Sequence, residues 1–122
     1  MNKTFLIFGA ILGLLGVLVG AFGAHALKET LEKAGNMATF ETAVKYQFYH
    51  ALALVLTGIL FKEFPSNYSN YAGYSFFMGT IIFSGALYLI CFTGIKTFGA
   101  VAPIGGSLLI LGWFFLIMSF LK

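Results

Sequence analysis

The sequence predicts an all-α integral membrane protein, a single domain built as a bundle of four transmembrane helices with a short interfacial helix between helices one and two. Hydrophobic residues make up 60% of its 122 residues and charged residues only 9%, whereas a soluble domain carries about 25% charged residues. So few charges cannot cover a water-facing surface of this size. The predicted solvent of the outer surface is therefore lipid.

Four segments are apolar enough to be predicted as spans, given that about 20 residues of helix cross a bilayer core. They are residues 4–26, 44–62, 72–93 and 99–121. The first segment also resembles a secretory signal peptide with a cleavage site at Ala24-His25-Ala26. Its length disfavours that alternative, because the apolar part of a signal peptide covers about 7–15 residues.

The connection between the first two spans predicts a short helix at the membrane surface. Leu27, Leu31, Ala34 and Ala38 recur at helical spacing among charged residues, a pattern typical of an interfacial helix. Gly35, followed by Asn36, is expected to end or interrupt that helix.

The few charges limit what else can be inferred. Seven lysines and four glutamates give a net charge of +3, and they are scattered among loops and helix ends, so nucleic-acid binding is not predicted. Lys3, Lys62 and Lys122 share one side of the predicted bundle and the other four lysines share the opposite side. This division is too even for the positive-inside rule to set the orientation.

Glycines predict the helix-packing faces. In the first helix they are Gly9, Gly13, Gly16, Gly20 and Gly23. Their average spacing of about 3.5 residues is the period of a left-handed packing seam, and small residues let helix backbones approach closely in lipid. Gly79 in the third helix and Gly112 in the fourth are expected to pack in the same way.

Polar residues at membrane depth are expected to face the bundle interior and to bond one another. On the second helix they share a face that comprises Tyr46, Gln47, His50, Ala53 and Thr57. On the third helix they form a stripe that comprises Thr80, Ser84, Tyr88 and Cys91.

One ligand-binding pocket is predicted where four segments from the four spans reach the same side of the membrane. The candidate ligand-binding residues are His25, Tyr46, Gln47, Tyr49, His50, Ser84, Tyr88, Pro103, Gly105 and Gly106. The glycines among them are expected to serve packing first.

The two histidines raise the alternative of a haem or metal site, since histidines from two helices can hold a haem iron and, with a thiolate, zinc or copper. His25 and His50 have no ligand-spaced motif around them. A hydrogen-bonded structural role is therefore favoured, no metal site is predicted, and the cofactor, if one binds, is unknown.

The same motifs resemble a known family. Residues 20–27 (GAFGAHAL), 46–54 (YQFYHALAL), 83–88 (FSGALY) and 103–106 (PIGG) are similar to the YgdD/YwdK-type family of small bacterial membrane proteins, a domain-of-unknown-function group. The resemblance implies a multi-pass fold in the bacterial inner membrane. It implies no activity, cofactor or catalytic residue.

The leading functional hypothesis is a non-enzymatic membrane protein that binds a lipid, a small molecule or a partner membrane protein, with a homo-oligomer as one form of partnership. The first alternative is a haem- or metal-binding redox subunit that uses His25 and His50. The second is a lipid-modifying enzyme with His50 as base and Tyr46, Tyr49 or Tyr88 as proton donors. It lacks an acidic residue to orient the histidine.

Overall fold

The computed structural model describes residues 1–121. Lys122, which entered the comparison of lysines by side, lies outside the described residues. The helices are α1 (Lys3–His25), α2 (Lys28–Ala34), α3 (Met37–Leu60), α4 (Asn67–Thr93) and α5 (Ala102–Leu121), with a 3-10 turn at Lys96–Ala100 before α5. Within residues 1–121, four segments are long and apolar enough to cross a membrane. The predicted fold class is confirmed, including the short helix between the first two spans.

Local sequence signals account for the helix ends. The Asn2 side chain accepts a hydrogen bond from the Phe5 N–H at 3.2 Å, and the Ser66 hydroxyl accepts one from the Ser69 N–H at 3.3 Å, so both cap free donors at a helix start. Gly35 and Gly94 follow α2 and α4 with φ of 72° and 74°. This left-handed conformation ends a helix and favours glycine.

The second spanning helix begins at Met37 rather than near residue 44. Phe40 and Ala43 are buried, whereas Glu41 and Lys45 are exposed. The first turns of α3 are therefore helical with a charged outer face, which a search for uncharged runs does not find. The helix α5 begins at Ala102 rather than near residue 99, because the preceding residues coil as the 3-10 turn.

The helices α3 and α4 form the centre of the bundle. The helix α1 packs chiefly on α3, and α5 packs chiefly on α4. The core lies between them and includes the fully buried side chains of Phe5, Leu54 and Phe76. Phe8 and Phe77 stack at a centroid distance of 4.2 Å and join α1 to α4.

Four of the five predicted packing glycines of α1 lie against α3. A Cβ atom at Gly9 would lie 2.8 Å from the Ala51 carbonyl oxygen, and one at Gly16 would lie 3.1 Å from two ring carbons of Phe48. Gly20 faces Val44, and Gly23 faces Phe40. Gly13 differs from these four, since no atom lies within 4 Å of its added Cβ among the described residues.

The interface between α4 and α5 is equally close. A Cβ at Gly79 would lie 3.0 Å from the Gly105 carbonyl oxygen, and one at Gly112 would lie 2.6 Å from a ring carbon of Phe76. Side chains larger than hydrogen at these positions would push the two helices apart.

Candidate functional site

Polar side chains of α3 take part in two clusters that involve different neighbouring helices. The buried cluster comprises Gln47, Ser84 and Tyr88. The Gln47 side-chain N–H donates to the Leu12 carbonyl oxygen at 2.8 Å, and the Tyr88 hydroxyl donates to the Gln47 side-chain oxygen at 2.6 Å. The Ser84 hydroxyl donates to the Ala43 carbonyl oxygen at 2.8 Å. These three bonds connect α1, α3 and α4.

The buried cluster satisfies its own polar atoms. Among the described residues, every buried side-chain nitrogen and oxygen has a hydrogen-bond partner. An unpaired polar group away from water costs about 1–3 kcal/mol, so this pairing is what allows a glutamine to lie inside a membrane bundle. The expected pairing between the polar faces of the second and third spans is seen here, in the bond from Tyr88 to Gln47.

The second cluster lines a hollow between α3, α4 and α5, which we call the aromatic crevice. Its volume is about 550 Å³, within the range of about 300–1,000 Å³ of small-molecule sites. It is lined by Tyr46, Tyr49, His50, Phe83, Gly106, Leu109, Ile110 and Trp113.

His50 is the buried polar residue of the crevice, with 4% of its surface exposed. Its Nε2 lies 3.1 Å from the Trp113 Nε1, and its Nδ1 lies 2.8 Å from the Tyr46 carbonyl oxygen. An indole N–H can only donate and a carbonyl can only accept. His50 is therefore neutral with its proton on Nδ1, and both ring nitrogens are engaged.

The tyrosines at the rim of the crevice, unlike His50, are exposed and have no hydrogen-bond partner for their hydroxyls among the described residues. Tyr46 and Tyr49 are 39% and 56% exposed, and their rings lie 5.9 Å apart. Neither hydroxyl makes a hydrogen bond to any residue that the structure describes. Helical side chains tilt towards the helix N-terminus, so both rings lean towards the charged N-terminal part of α3, where Lys45 lies.

The crevice opens sideways between two spanning helices. Ile110 and Trp113 on α5 are 72% and 45% exposed, and the surroundings of α3 and α5 at this depth are lipid. The α5 residues that line the crevice run from Gly106 to Trp113 and cover about 10 Å of the helix. The crevice therefore extends from the first turns of α5 to the middle of that helix.

The adjacent glycines of α5 serve different purposes. Gly105 is buried, and a Cβ there would collide with backbone atoms of Phe83, so Gly105 is a packing residue. Gly106 lines the crevice, and a Cβ there would lie 3.6 Å from the Phe83 ring, an ordinary contact. Pro103 is exposed near the start of α5, and its carbonyl oxygen accepts from the Ser107 hydroxyl.

His25 lies away from the crevice. It is the last residue of α1, it is exposed, and it makes no side-chain hydrogen bond or ring contact with a described residue. The nearby Gly23 packs against Phe40, and from Phe40 to His50 the helix α3 advances about 15 Å. Ligands of one metal ion each lie about 2 Å from it, so His25 and His50 of one chain cannot share one.

Cysteine, aspartate and glutamate can also act as metal ligands together with histidine. No group of three or more His, Cys, Asp or Glu residues within residues 1–121 is arranged to hold a metal ion. Cys91 lies half-buried on α4, and its Sγ is 3.7 Å from the Asn36 carbonyl oxygen.

A larger hollow of about 630 Å³ lies at the opposite end of the bundle and includes Glu63, Ser66 and Ser119. The two serine hydroxyls there are engaged in their own helices, Ser66 as a cap and Ser119 as a donor to the Leu116 carbonyl oxygen. It lacks the combination of aromatic walls and free hydroxyls that distinguishes the aromatic crevice.

The structure thus divides the ten predicted ligand-binding residues. Four of them line the aromatic crevice, namely Tyr46, Tyr49, His50 and Gly106. Three form the buried cluster, Gly105 packs against Phe83, and His25 and Pro103 lie outside both. Sequence analysis missed Trp113 as a site residue, because a single aromatic residue in the middle of an apolar helix has the signature of a packing residue.

Comparison with known proteins places the chain among bacterial membrane proteins. Residues 19–106 match the sequence model of a family described as protein of unknown function, DUF423. A UPF0382 membrane protein of Staphylococcus haemolyticus is 43% identical over 120 residues, which cover 98% of this chain and 97% of that protein. The UPF0382 membrane protein YwdK of Bacillus subtilis is 37% identical over 98% of each chain. No solved structure matches the chain.

Proposed function

Because the chain belongs to the DUF423 family of membrane proteins of unknown function, its task must be inferred from its own site, and we propose that it binds an amphipathic, membrane-soluble molecule in the aromatic crevice. The family resemblance and the multi-pass membrane location expected from the sequence are confirmed. Binding rather than catalysis is the function that the arrangement of groups supports best.

One contrast carries the proposal. The Tyr46 and Tyr49 hydroxyls are free at the rim of a lipid-facing hollow, while the polar side chains buried next to them are paired with protein. A ligand with an apolar body along Ile110 and a polar end at the tyrosines would match that distribution. Most small-molecule sites combine apolar walls with a few polar groups in this way.

The enzymatic alternative has less support. A general base needs a free lone pair within reach of its substrate, and the His50 Nε2 already accepts a hydrogen bond from Trp113. Tyr88 donates to Gln47 on another face of α3. Tyr46 and Tyr49 line the same crevice as His50, but the proposed base has no free lone pair to offer a substrate there.

Native mass spectrometry in mild detergent tests the proposal with a matched pair of variants. Gly106→Leu keeps its first carbon in ordinary contact and sends the rest of its side chain into the crevice. Gly13→Leu adds the same side chain where nothing lies within 4 Å. We expect a bound lipid-soluble molecule on the wild type and on Gly13→Leu, and none on Gly106→Leu. A wild type without bound mass, or equal adducts on both variants, would refute the proposal.

A homo-oligomer or a partner membrane protein remains a separate proposal. It would involve the outer surfaces of α1 and α5, which expose many apolar side chains, including Leu14, Val17 and Ile117. The same spectra test it, because an oligomer adds multiples of the chain mass whereas a ligand adds a small increment. A monomer without bound protein would count against it.

A further inference from the structure

We infer that the molecule bound in the aromatic crevice carries a flat, uncharged ring with carbonyl oxygens, the chemistry of a quinone, on an apolar tail. This inference rests on the proposed function and names the class of its ligand. It concerns binding alone.

The walls of the crevice favour a flat ring. Tyr46 packs directly on Phe83 with ring centroids 4.9 Å apart, and His50 packs edge-on to Trp113 at 5.9 Å, so the crevice is lined by a continuous aromatic surface on which a ligand ring can lie. Aromatic rings attract one another at centroid distances of about 4.5–7 Å. Gly106 has no side chain, so a planar group can approach the α5 backbone there.

The hydrogen-bonding groups favour a ligand that accepts. The His50 N–H donates to a backbone carbonyl and the Trp113 N–H donates to His50, so neither is available. The groups left are the hydroxyls of Tyr46 and Tyr49, which can donate or accept, and a phenol donates better than it accepts because its ring withdraws electron density from the oxygen. A ring carbonyl is a strong acceptor with no proton of its own, and it matches two phenolic donors at the rim.

The charges favour a neutral headgroup. No lysine, arginine, aspartate or glutamate is among the described residues that line the crevice. An ionised headgroup would find no opposite charge among these residues. A phosphate headgroup is therefore disfavoured relative to an uncharged ring, while the apolar tail can leave past Ile110 into the lipid.

Trp113 supplies the measurement, because it is the single tryptophan of the sequence. We would titrate a short-chain alkyl benzoquinone into detergent-solubilised protein and follow the quenching of Trp113 fluorescence. We expect saturable quenching. In the double variant Tyr46→Phe, Tyr49→Phe the dissociation constant should rise about tenfold, since two hydrogen bonds to the ligand are lost.

Two controls give the titration its meaning. Tyr74→Phe removes the hydroxyl of an exposed tyrosine on α4 that packs against Phe5 and should leave the dissociation constant unchanged. An alkylbenzene with the same chain keeps the flat ring and lacks both carbonyls. On the wild type, the alkylbenzene should bind at least about tenfold more weakly than the quinone in a displacement titration. On the double variant, the two compounds should bind with equal affinity.

The outcomes separate this inference from the proposed function. Quenching that rises linearly and equally in all variants would reflect collisions within the micelle and would overturn the quinone inference. If Gly106→Leu then still removed the natural adduct, the crevice would bind a ligand of another class. If it did not, both proposals would fall.

Discussion

The buried cluster and the aromatic crevice share the helix α3 but differ in what completes them. In the buried cluster, Gln47 bonds the α1 backbone and Tyr88, so protein supplies both partners. In the crevice, protein satisfies His50 but leaves the hydroxyls of Tyr46 and Tyr49 free. Polar residues at membrane depth are therefore not equivalent evidence of a site. Those already paired hold helices together, whereas the free hydroxyls that line the crevice are the ones we propose to contact a ligand.

The largest effect expected on the buried side is that of Gly16→Leu. A Cβ there lies 3.1 Å from the Phe48 ring, so a leucine would force α1 away from α3 and separate Gln47 from the Leu12 carbonyl. We expect a loss of about 3 kcal/mol in the free energy of unfolding, measured by SDS titration in mixed micelles. Gly13→Leu is the control, and equal stability of the two variants would refute the packing role of Gly16.

Removing the polar group at the centre of the buried cluster should have a smaller effect. Gln47→Leu deletes two hydrogen bonds and leaves the Tyr88 hydroxyl without its acceptor. We expect a loss of about 2 kcal/mol in the same titration. Thr42→Val removes an exposed hydroxyl that bonds only its own helix and should change little. A Gln47→Leu variant as stable as the wild type would mean that the buried cluster contributes no more to the free energy of unfolding than the crevice does.

The bond between the crevice walls should matter less to stability. Trp113→Phe removes the donor to His50 and keeps an aromatic ring against Phe76. We expect a loss of about 1 kcal/mol, detected by SDS titration followed by circular dichroism because the variant has no tryptophan. A loss as large as that of Gln47→Leu would show that the crevice is a structural element like the buried cluster.

The smallest effect is expected at the rim. Tyr49→Phe removes a hydroxyl that has no partner among residues 1–121, so the free energy of unfolding should change by less than about 0.5 kcal/mol. Ligand retention in native mass spectra should fall although the fold is intact. A destabilised variant with unchanged ligand content would show that the Tyr49 hydroxyl stabilises the fold and does not bind the ligand.

The spans could be predicted from sequence because lipid imposes a simple requirement, an apolar run of sufficient length. That criterion failed at the start of α3, where Glu41 and Lys45 project outward while Phe40 and Ala43 are buried on the other side of the same helix. It also placed the α5 start near residue 99 rather than at Ala102, because that start depends on how the residues after Gly94 coil.

The candidate site was harder to predict because helical spacing shows which residues share a face but not which neighbour that face meets. Gln47 and His50 lie on the same predicted face, yet the first contacts α1 and α4 and the second contacts α4 and α5. Trp113 lines the crevice only because α5 packs beside α3 and α4. His25 lies outside the crevice because α1 extends beyond the contact of Gly23 with Phe40. These outcomes depend on tertiary packing, which no single sequence pattern contains.

The order of the helices also bears on how the chain is made. Each spanning helix after the first packs against the spanning helix synthesised just before it, α3 on α1, α4 on α3 and α5 on α4. A helix that enters the bilayer during translation thus meets a partner already in place, and few contacts must wait for distant segments. The crevice is the exception, since the bond from Trp113 to His50 can form only after α5 has inserted. The aromatic crevice is therefore the last part of the molecule to be completed, and a chain that stops before α5 lacks it.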